Sequence, residues 1–146
     1  MMKLEFKVVD RKNWEDCIEL DVFANQKEFV ADNAYSILEA QFYPNLYPYG
    51  IYNNDELVGF FMYGLDDETG RWEMSRFMIA KQFQKKGFGR VALRQFLDMM
   101  REKLGKIEFY TSIEPKNSVA QKLYEEVGFA KTGEIMWDEE VMKIQL

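Results

Sequence analysis

The sequence predicts a mixed α/β (α+β) sandwich, with one mostly antiparallel sheet flanked by helices. Three observations predict it. In the first half, alternating apolar stretches are joined by tight polar turns, the pattern of an antiparallel meander. In the second half a strand, a glycine-rich loop, an amphipathic helix and another strand follow one another, the order of a parallel crossover unit. The 146 residues contain no internal repeat, low-complexity tract or linker, so residues 1–146 read as one domain.

The elements follow in order. "KLEFKVV" at residues 3–9 alternates as a strand should. Asn13 stands where an N-cap belongs for a helix over "WEDCIELDV", whose acidic first turn complements the helix dipole. "NQKEFVADNA" reads as an aromatic, charged connection. Ser36 and Glu39 in "SILE" have the spacing of a capping box. That predicts a short helix over 37–42, with Pro44 beyond its end. "YPYGIYNNDELVGFFMYGL" reads as two strands joined at "NND", with "DDETG" as the next turn and "RWEMSRFMIA" as a third strand. A helix from about Gly87 to Leu104 carries Leu93, Leu97, Met100 and Leu104 on one face, and Gly105 sits at its C′ position. "KIEFYTSI" is a strand. "PKNSVAQKLYEEVGF" is a short helix with Val119, Ala120, Leu123, Tyr124 and Val127 on one side and Gly128 at its end. "EIMWDEEVMKIQL" supplies one or two further strands. The predicted order is β-α-α-β-β-β-α-β-α-β.

Composition narrows the chemistry. There is no histidine, which removes a Ser-His-Asp triad, a histidine base and any His-ligated metal. One cysteine, Cys17, makes neither an internal disulfide nor a Cys-rich zinc site, so no metal is expected. No run of 18 apolar residues is present, and "MMKLEFKVVDRKN" lacks the apolar core of a signal peptide. A cytoplasmic protein without a membrane partner is expected. The net charge of −6 argues against a nucleic-acid partner and suits a cationic one.

"FMIAKQFQKKGFGRVAL" runs from a strand through glycines into a helix, an arrangement suited to anions. The first N–H groups of a helix lack internal partners and lie at the positive end of its dipole. The dinucleotide spacing G-x-G-x-x-G and the Walker spacing are both absent. What is present is Q-x-x-G-x-G, from Gln84 to Gly89.

This loop resembles motif A of the GNAT family of acetyl-CoA-dependent N-acetyltransferases. "NSVAQKLYEEVGF" resembles the family's motif B, N-x-x-A-x-x-L-Y-x-x-x-G-F, in the expected order and at the expected separation. The resemblance implies a GNAT-type sheet and acetyl-CoA as cosubstrate. It implies that the backbone of Phe77, Met78 and Ile79 pairs with the pantetheine arm. Gln84, Lys85, Lys86, Gly87, Phe88, Gly89 and Arg90 would receive the pyrophosphate. Asn117 and Ala120 match the start of the second cofactor-side helix, where Asn117 either caps the helix or touches the cofactor. Tyr124 matches the general acid of many members, whereas the apolar stripe it sits on reads, without the resemblance, as a core tyrosine with a satisfied hydroxyl.

Acetyl transfer needs a deprotonated amine, a polarised thioester carbonyl and a proton for the leaving thiolate. Glu73, expected to share a strand face with Ser75, is the candidate base, and otherwise pairs with Arg71 or Arg76. The segment Gln26 to Ala40 further resembles the bacterial spermine/spermidine acetyltransferase branch, Q-x-x-F-V-A-x-N-x-Y-S-x-x-E-A. That resemblance implies a polyamine acceptor, a polycation with methylene spacers. Glu28, Phe29, Asp32 and Tyr35 offer the carboxylates and aromatic faces to bind one. Other amines, such as an aminoglycoside or a protein N-terminus, and a non-catalytic acetyl-CoA-binding module are the rival readings. A homodimer is compatible with the family.

Overall fold

The computed structural model describes residues 2–146. Its elements are β1 (Glu5–Val8), α1 (Trp14–Glu19), α2 (Asn33–Phe42), β2 (Leu46–Asn53), β3 (Glu56–Leu65), β4 (Trp72–Ile79), α3 (Phe88–Leu104), β5 (Glu108–Ile113), α4 (Ser118–Glu126), β6 (Ala130–Met136) and β7 (Glu139–Gln145). Short 3₁₀ turns at Ala24–Gln26 and Lys81–Phe83 lie in the connections. The seven strands form one sheet in the order β1-β2-β3-β4-β5-β7-β6. Only β4 and β5 run parallel, and α3 makes the crossover between them. The predicted class and order hold, and the C-terminal stretch resolves into two strands.

Turn chemistry explains the hairpins. Asn54 and Asp55 both adopt positive φ (49° and 69°), the two-residue conformation that matches strand twist. Trp137 and Asp138 do the same between β6 and β7, with φ of 52° and 61°. β3 is an interior strand of the sheet and both its faces are covered. Val58, Phe61 and Tyr63 pack toward α3 and α4, while Phe60 and Met62 pack toward α1 and α2. That is why "VGFFMYG" reads as one continuous apolar run rather than an alternation. On the α3 side, the Phe96 ring meets Phe61 edge-on at 4.8 Å, and Phe96 lies 5.7 Å from Phe109. Such pairs contribute about 0.5–1.5 kcal/mol beyond their area.

Two helix starts differ from expectation. Asn13 does not cap α1 with its side chain. Instead its Oδ1 accepts from Asp10 N at 2.8 Å and its Nδ2 donates to Val8 O at 3.2 Å, stapling the turn after β1. Ser36 and Glu39 form no capping box. Asp32, four residues earlier, is the cap, with Oδ1 accepting from Tyr35 N at 2.7 Å. Ser36 is fully buried inside α2, and its Oγ accepts from Arg76 Nε at 3.1 Å. Glu39 meets Arg76 Nη2 at 3.4 Å. The i, i+3 spacing is real, but it faces β4 rather than a helix end.

Candidate active site

β3 and β4 stay paired as far as Gly59↔Ile79. β4 and β5 pair only at Glu73↔Tyr110 and Met74↔Thr111. Beyond that point the parallel strands splay, and among the described residues no strand pairs with the second edge of β4 from Ser75 to Ile79. Thr111 closes the fork, its Oγ1 donating to Met74 O at 3.0 Å. The strand also bulges there. Met62 faces Arg76 and Tyr63 faces Met74, so Ser75 is the extra residue. The result is a cleft of about 590 Å³, the size of a small-molecule site.

One wall of the cleft is the free edge of β4, including Phe77, Met78 and Ile79. Backbone N–H and C=O groups along such an edge accept an added extended chain. The mouth is the glycine loop, where Lys85, Gly87, Gly89 and Arg90 line the cleft. Gly87 has φ of +89°, which only glycine adopts without strain, and it starts the 17-residue α3. A Cβ on Gly89 would lie 3.3 Å from Leu123 Cδ2, so glycine there lets α3 and α4 approach. The opposite wall is α4, where Asn117, Ala120 and Tyr124 line the cleft. Asn117 is the N-cap, its Oδ1 accepting from Ala120 N at 3.2 Å. Val119 also lines the cleft and is 78% exposed, so it is a rim residue rather than the core residue its spacing suggested.

Several expected residues turn out to act differently. Phe88 is buried in the core, edge-on to Phe83 at 6.2 Å, so only its backbone is available to an anion. The Lys86 ammonium stands 5.9 Å over the Phe83 ring, and Lys86 does not line the cleft. Arg90 binds Glu126 with two nitrogens, at 3.0 and 2.7 Å, clasping α3 to α4. Gln84 engages protein partners with its whole carboxamide. Of the four acceptor-side candidates only Phe29 lines the cleft. Glu28 is exposed, Asp32 is the α2 cap, and Tyr35 lies 59% exposed on the outer face of α2.

Tyr124 is 7% exposed and packs on Phe129, ring centroids 5.8 Å apart. Burial, with a further contribution from the Glu139 carboxylate, pushes its phenol far up, so it stays protonated. Sequence reasoning missed two carboxylates that line the cleft, Glu114 just after β5 and Glu139. Glu139 is the better anchored. It lines the cleft at the start of β7 and accepts from Ser112 Oγ at 2.8 Å. Its only local signal is its place directly after the Trp137–Asp138 turn. The β5–β7 pairing, invisible in the local pattern, brings it to the fork.

Glu73 does not share a face with Ser75, because the bulge interrupts the alternation. It lines a small separate cavity with Asp66, Arg71 and Trp137. That cavity and the cleft share Thr111 and Ser112. Burial, then the nearby Asp66 carboxylate, push the Glu73 carboxyl up to about 7. Arg76 and Arg71 oppose the shift. A carboxylate that titrates near neutrality is suited to accept a proton at physiological pH. Cys17 is fully buried and its thiol is raised to about 11, chiefly by burial, so it is a poor nucleophile. Among the described residues no helix is long and apolar enough to cross a membrane.

The geometry agrees with comparisons to known proteins. The chain is 30% identical to a probable spermine N(1)-acetyltransferase of Bacillus subtilis subsp. natto over 150 aligned positions, covering 99% of each protein. It is 29% identical, with the same coverage, to a spermine/spermidine N(1)-acetyltransferase of Bacillus subtilis. Its fold matches the Vibrio cholerae spermidine N-acetyltransferase solved with CoA and spermine. The TM-score is 0.74 and the identity 18%, over 96% of this chain and 92% of that one. A Thermoplasma acidophilum PaiA N-acetyltransferase solved with coenzyme A gives a TM-score of 0.73 at 16% identity, over 99% of this chain and 100% of that one. The model of the acetyltransferase (GNAT) family matches residues 13–129. The chain therefore belongs to the acetyltransferase (GNAT) family, the acetyl-CoA-dependent N-acetyltransferases that its glycine loop and Tyr124 helix resemble.

Proposed function

We propose that the chain, as one acetyltransferase domain over residues 1–146, moves the acetyl group of acetyl-CoA to a primary amine of spermine or spermidine. The transfer is direct, in a ternary complex. The observation that carries this reading is the cleft itself. A free strand edge, a glycine-started helix N-terminus and a protonated tyrosine all line one cavity.

The chemistry follows from these groups. The pantetheine lies along Phe77–Ile79. The pyrophosphate sits at the α3 N-terminus, with Lys85 beside it. A backbone N–H of the β4 edge polarises the thioester carbonyl. The amine nitrogen attacks the carbonyl carbon, the C–S bond breaks, and Tyr124 gives its proton to the departing thiolate. Glu73 takes the proton lost by the amine, relayed past Ser112. Glu139 faces the acceptor ammonium as a counter-ion.

The polyamine assignment is supported by two curated relatives that bear that name and align over 99% of this chain. Phe29, Glu114 and Glu139 line the cleft and suit a cation with apolar spacers. A net charge of −6 supports a cationic substrate and no nucleic-acid partner, and a single, unpaired and buried cysteine suits a cytoplasmic setting. An acceptor panel of spermine, spermidine, diamines and an aminoglycoside tests the substrate. The polyamines should give the highest kcat/KM. A higher value for the aminoglycoside removes the polyamine assignment.

The same reading includes a homodimer. The outer face of α2 carries Tyr35, Leu38 and Phe42 at 59%, 60% and 75% exposure, with no charged side chain between them on that face. An uncharged face meets its own copy without like-charge repulsion. With Tyr43, it offers roughly 500 Å² per copy at about 200 Å² for a fully exposed large side chain. That is roughly 1,000 Å² for a pair, the lower bound for a specific interface.

A further inference from the structure

Gln84 opens the glycine loop, yet its carboxamide is fully engaged within the protein. Its Nε2 donates to Ile79 O and to Gln26 Oε1, each at 2.9 Å. Its Oε1 accepts from Gln26 Nε2 at 3.0 Å. Gln26 Oε1 also accepts from Phe23 N at 3.1 Å, closing the Ala24–Gln26 turn. Two side-chain amides 58 positions apart thus form a closed reciprocal pair. Both donors of Gln84 Nε2 are used, which fixes the amide orientation.

The pair joins three segments. Ile79 ends the β4 edge, Gln84 starts the pyrophosphate loop, and Gln26 holds the turn that leads to Phe29 on the acceptor wall. A second tie runs alongside it, Lys81 N donating to Asp21 O at 2.8 Å. The loop beyond Gln84 is conformationally demanding. Lys85 has φ of +62°, left-handed without being glycine.

We propose that the Gln26–Gln84 amide pair is a positioning latch. It couples the cofactor loop to the acceptor wall, so that each ligand tightens the binding of the other. The inference rests on the acetyl-CoA and amine reading above. An anion held at the α3 N-terminus fixes the strained loop. The fixed loop fixes Gln84, Gln84 fixes Gln26, and Gln26 sets the wall carrying Phe29. Because coupling is reciprocal, an amine against that wall strengthens cofactor binding by the same factor.

The test titrates CoA by calorimetry into the native protein, Gln26→Ala, Gln84→Ala and the double variant. Gln26 lies outside the glycine loop, yet Gln26→Ala should weaken CoA binding about fivefold, the low end of ordinary coupling. The double variant should bind CoA no more weakly than Gln84→Ala alone, since either change opens the same pair. Gln26→Asn, one methylene too short to reach, should behave like Gln26→Ala. In turnover, Gln26→Ala should raise the amine KM about fivefold with little change in kcat. CoA affinity unchanged in Gln26→Ala, or effects that multiply independently in the double variant, overturn the latch. The CoA arm needs no amine, so a wrong polyamine assignment shows separately, as absent spermidine turnover with the CoA coupling intact.

Discussion

Glu73→Gln separates a functional carboxylate from an ordinary surface one. The Glu73 carboxyl is raised to about 7 from a usual 4.5. At about 1.36 kcal/mol per unit, that displacement corresponds to a ceiling of about 3 kcal/mol. The sign follows from proton binding. Below pH 4.5 the group is protonated in both folded and unfolded chains, so it contributes no difference. Between 4.5 and about 7 the folded chain keeps a proton that the unfolded chain releases, so native stability falls as pH rises. Above about 7 the full cost of a buried carboxylate is present. The substituted carboxamide cannot ionise, so the variant should match the native protein near pH 4 and exceed it at pH 8, by about 2–3 kcal/mol. Thermal melts across pH should show a gap opening to roughly 5–10 °C at pH 8. As the base, Glu73 must be deprotonated to work, so kcat/KM of the native enzyme should rise through pH about 7. Glu73→Gln should lower that rate about 10²–10⁴-fold and remove the rise. A stability gap that does not change with pH, or an unaltered pH–rate profile, refutes the assignment of Glu73 as a raised, proton-accepting carboxylate.

Three further outcomes are expected. Tyr124→Phe keeps the ring against Phe129 and removes only the hydroxyl, so kcat should fall about 10²–10⁴-fold while CoA affinity measured by calorimetry stays within about twofold. Gly87→Ala meets no atom within 4 Å but must hold φ of +89°, so denaturant unfolding should show a loss of about 1–2 kcal/mol from strain alone. CoA binding should weaken with it, because the α3 start is displaced. Leu38→Glu puts a charge on the apolar face of α2, and light scattering should then report a monomer where the native chain reports a dimer. A native monomer at micromolar concentration removes the dimer from the account.

The parts of the fold legible in the sequence were those set by local physics. "NND" specifies a hairpin because two consecutive left-handed residues are needed there. The 4-3-4 spacing of Leu93, Leu97, Met100 and Leu104 specifies the inner face of α3. The glycine loop and the Tyr124 helix were legible for the same reason, since each is a contiguous segment. What escaped was set by pairing across the sheet. No local pattern marks the Ser75 bulge, which exists because β3 and β4 fall out of register there. The bulge in turn moved Glu73 into its own cavity. Glu139 reaches the cleft only because β7 pairs with β5. The capping signature at Ser36 and Glu39 misled because Asp32 offers an equally good cap earlier. Once α2 starts at Asn33, the same two side chains face Arg76. Glu28, Asp32 and Tyr35 have suitable chemistry, but residue type alone does not say which face of a connection turns toward a cleft.

The central claim is direct acetyl transfer to a polyamine within one ternary complex. It is tested most directly by initial rates of CoA release over a grid of acetyl-CoA and spermidine concentrations. The account predicts turnover with intersecting double-reciprocal lines, because no group of the chain carries the acetyl between the two substrates. Parallel lines, indicating an acetylated enzyme, would contradict it. So would the absence of turnover with spermidine and spermine at millimolar concentration.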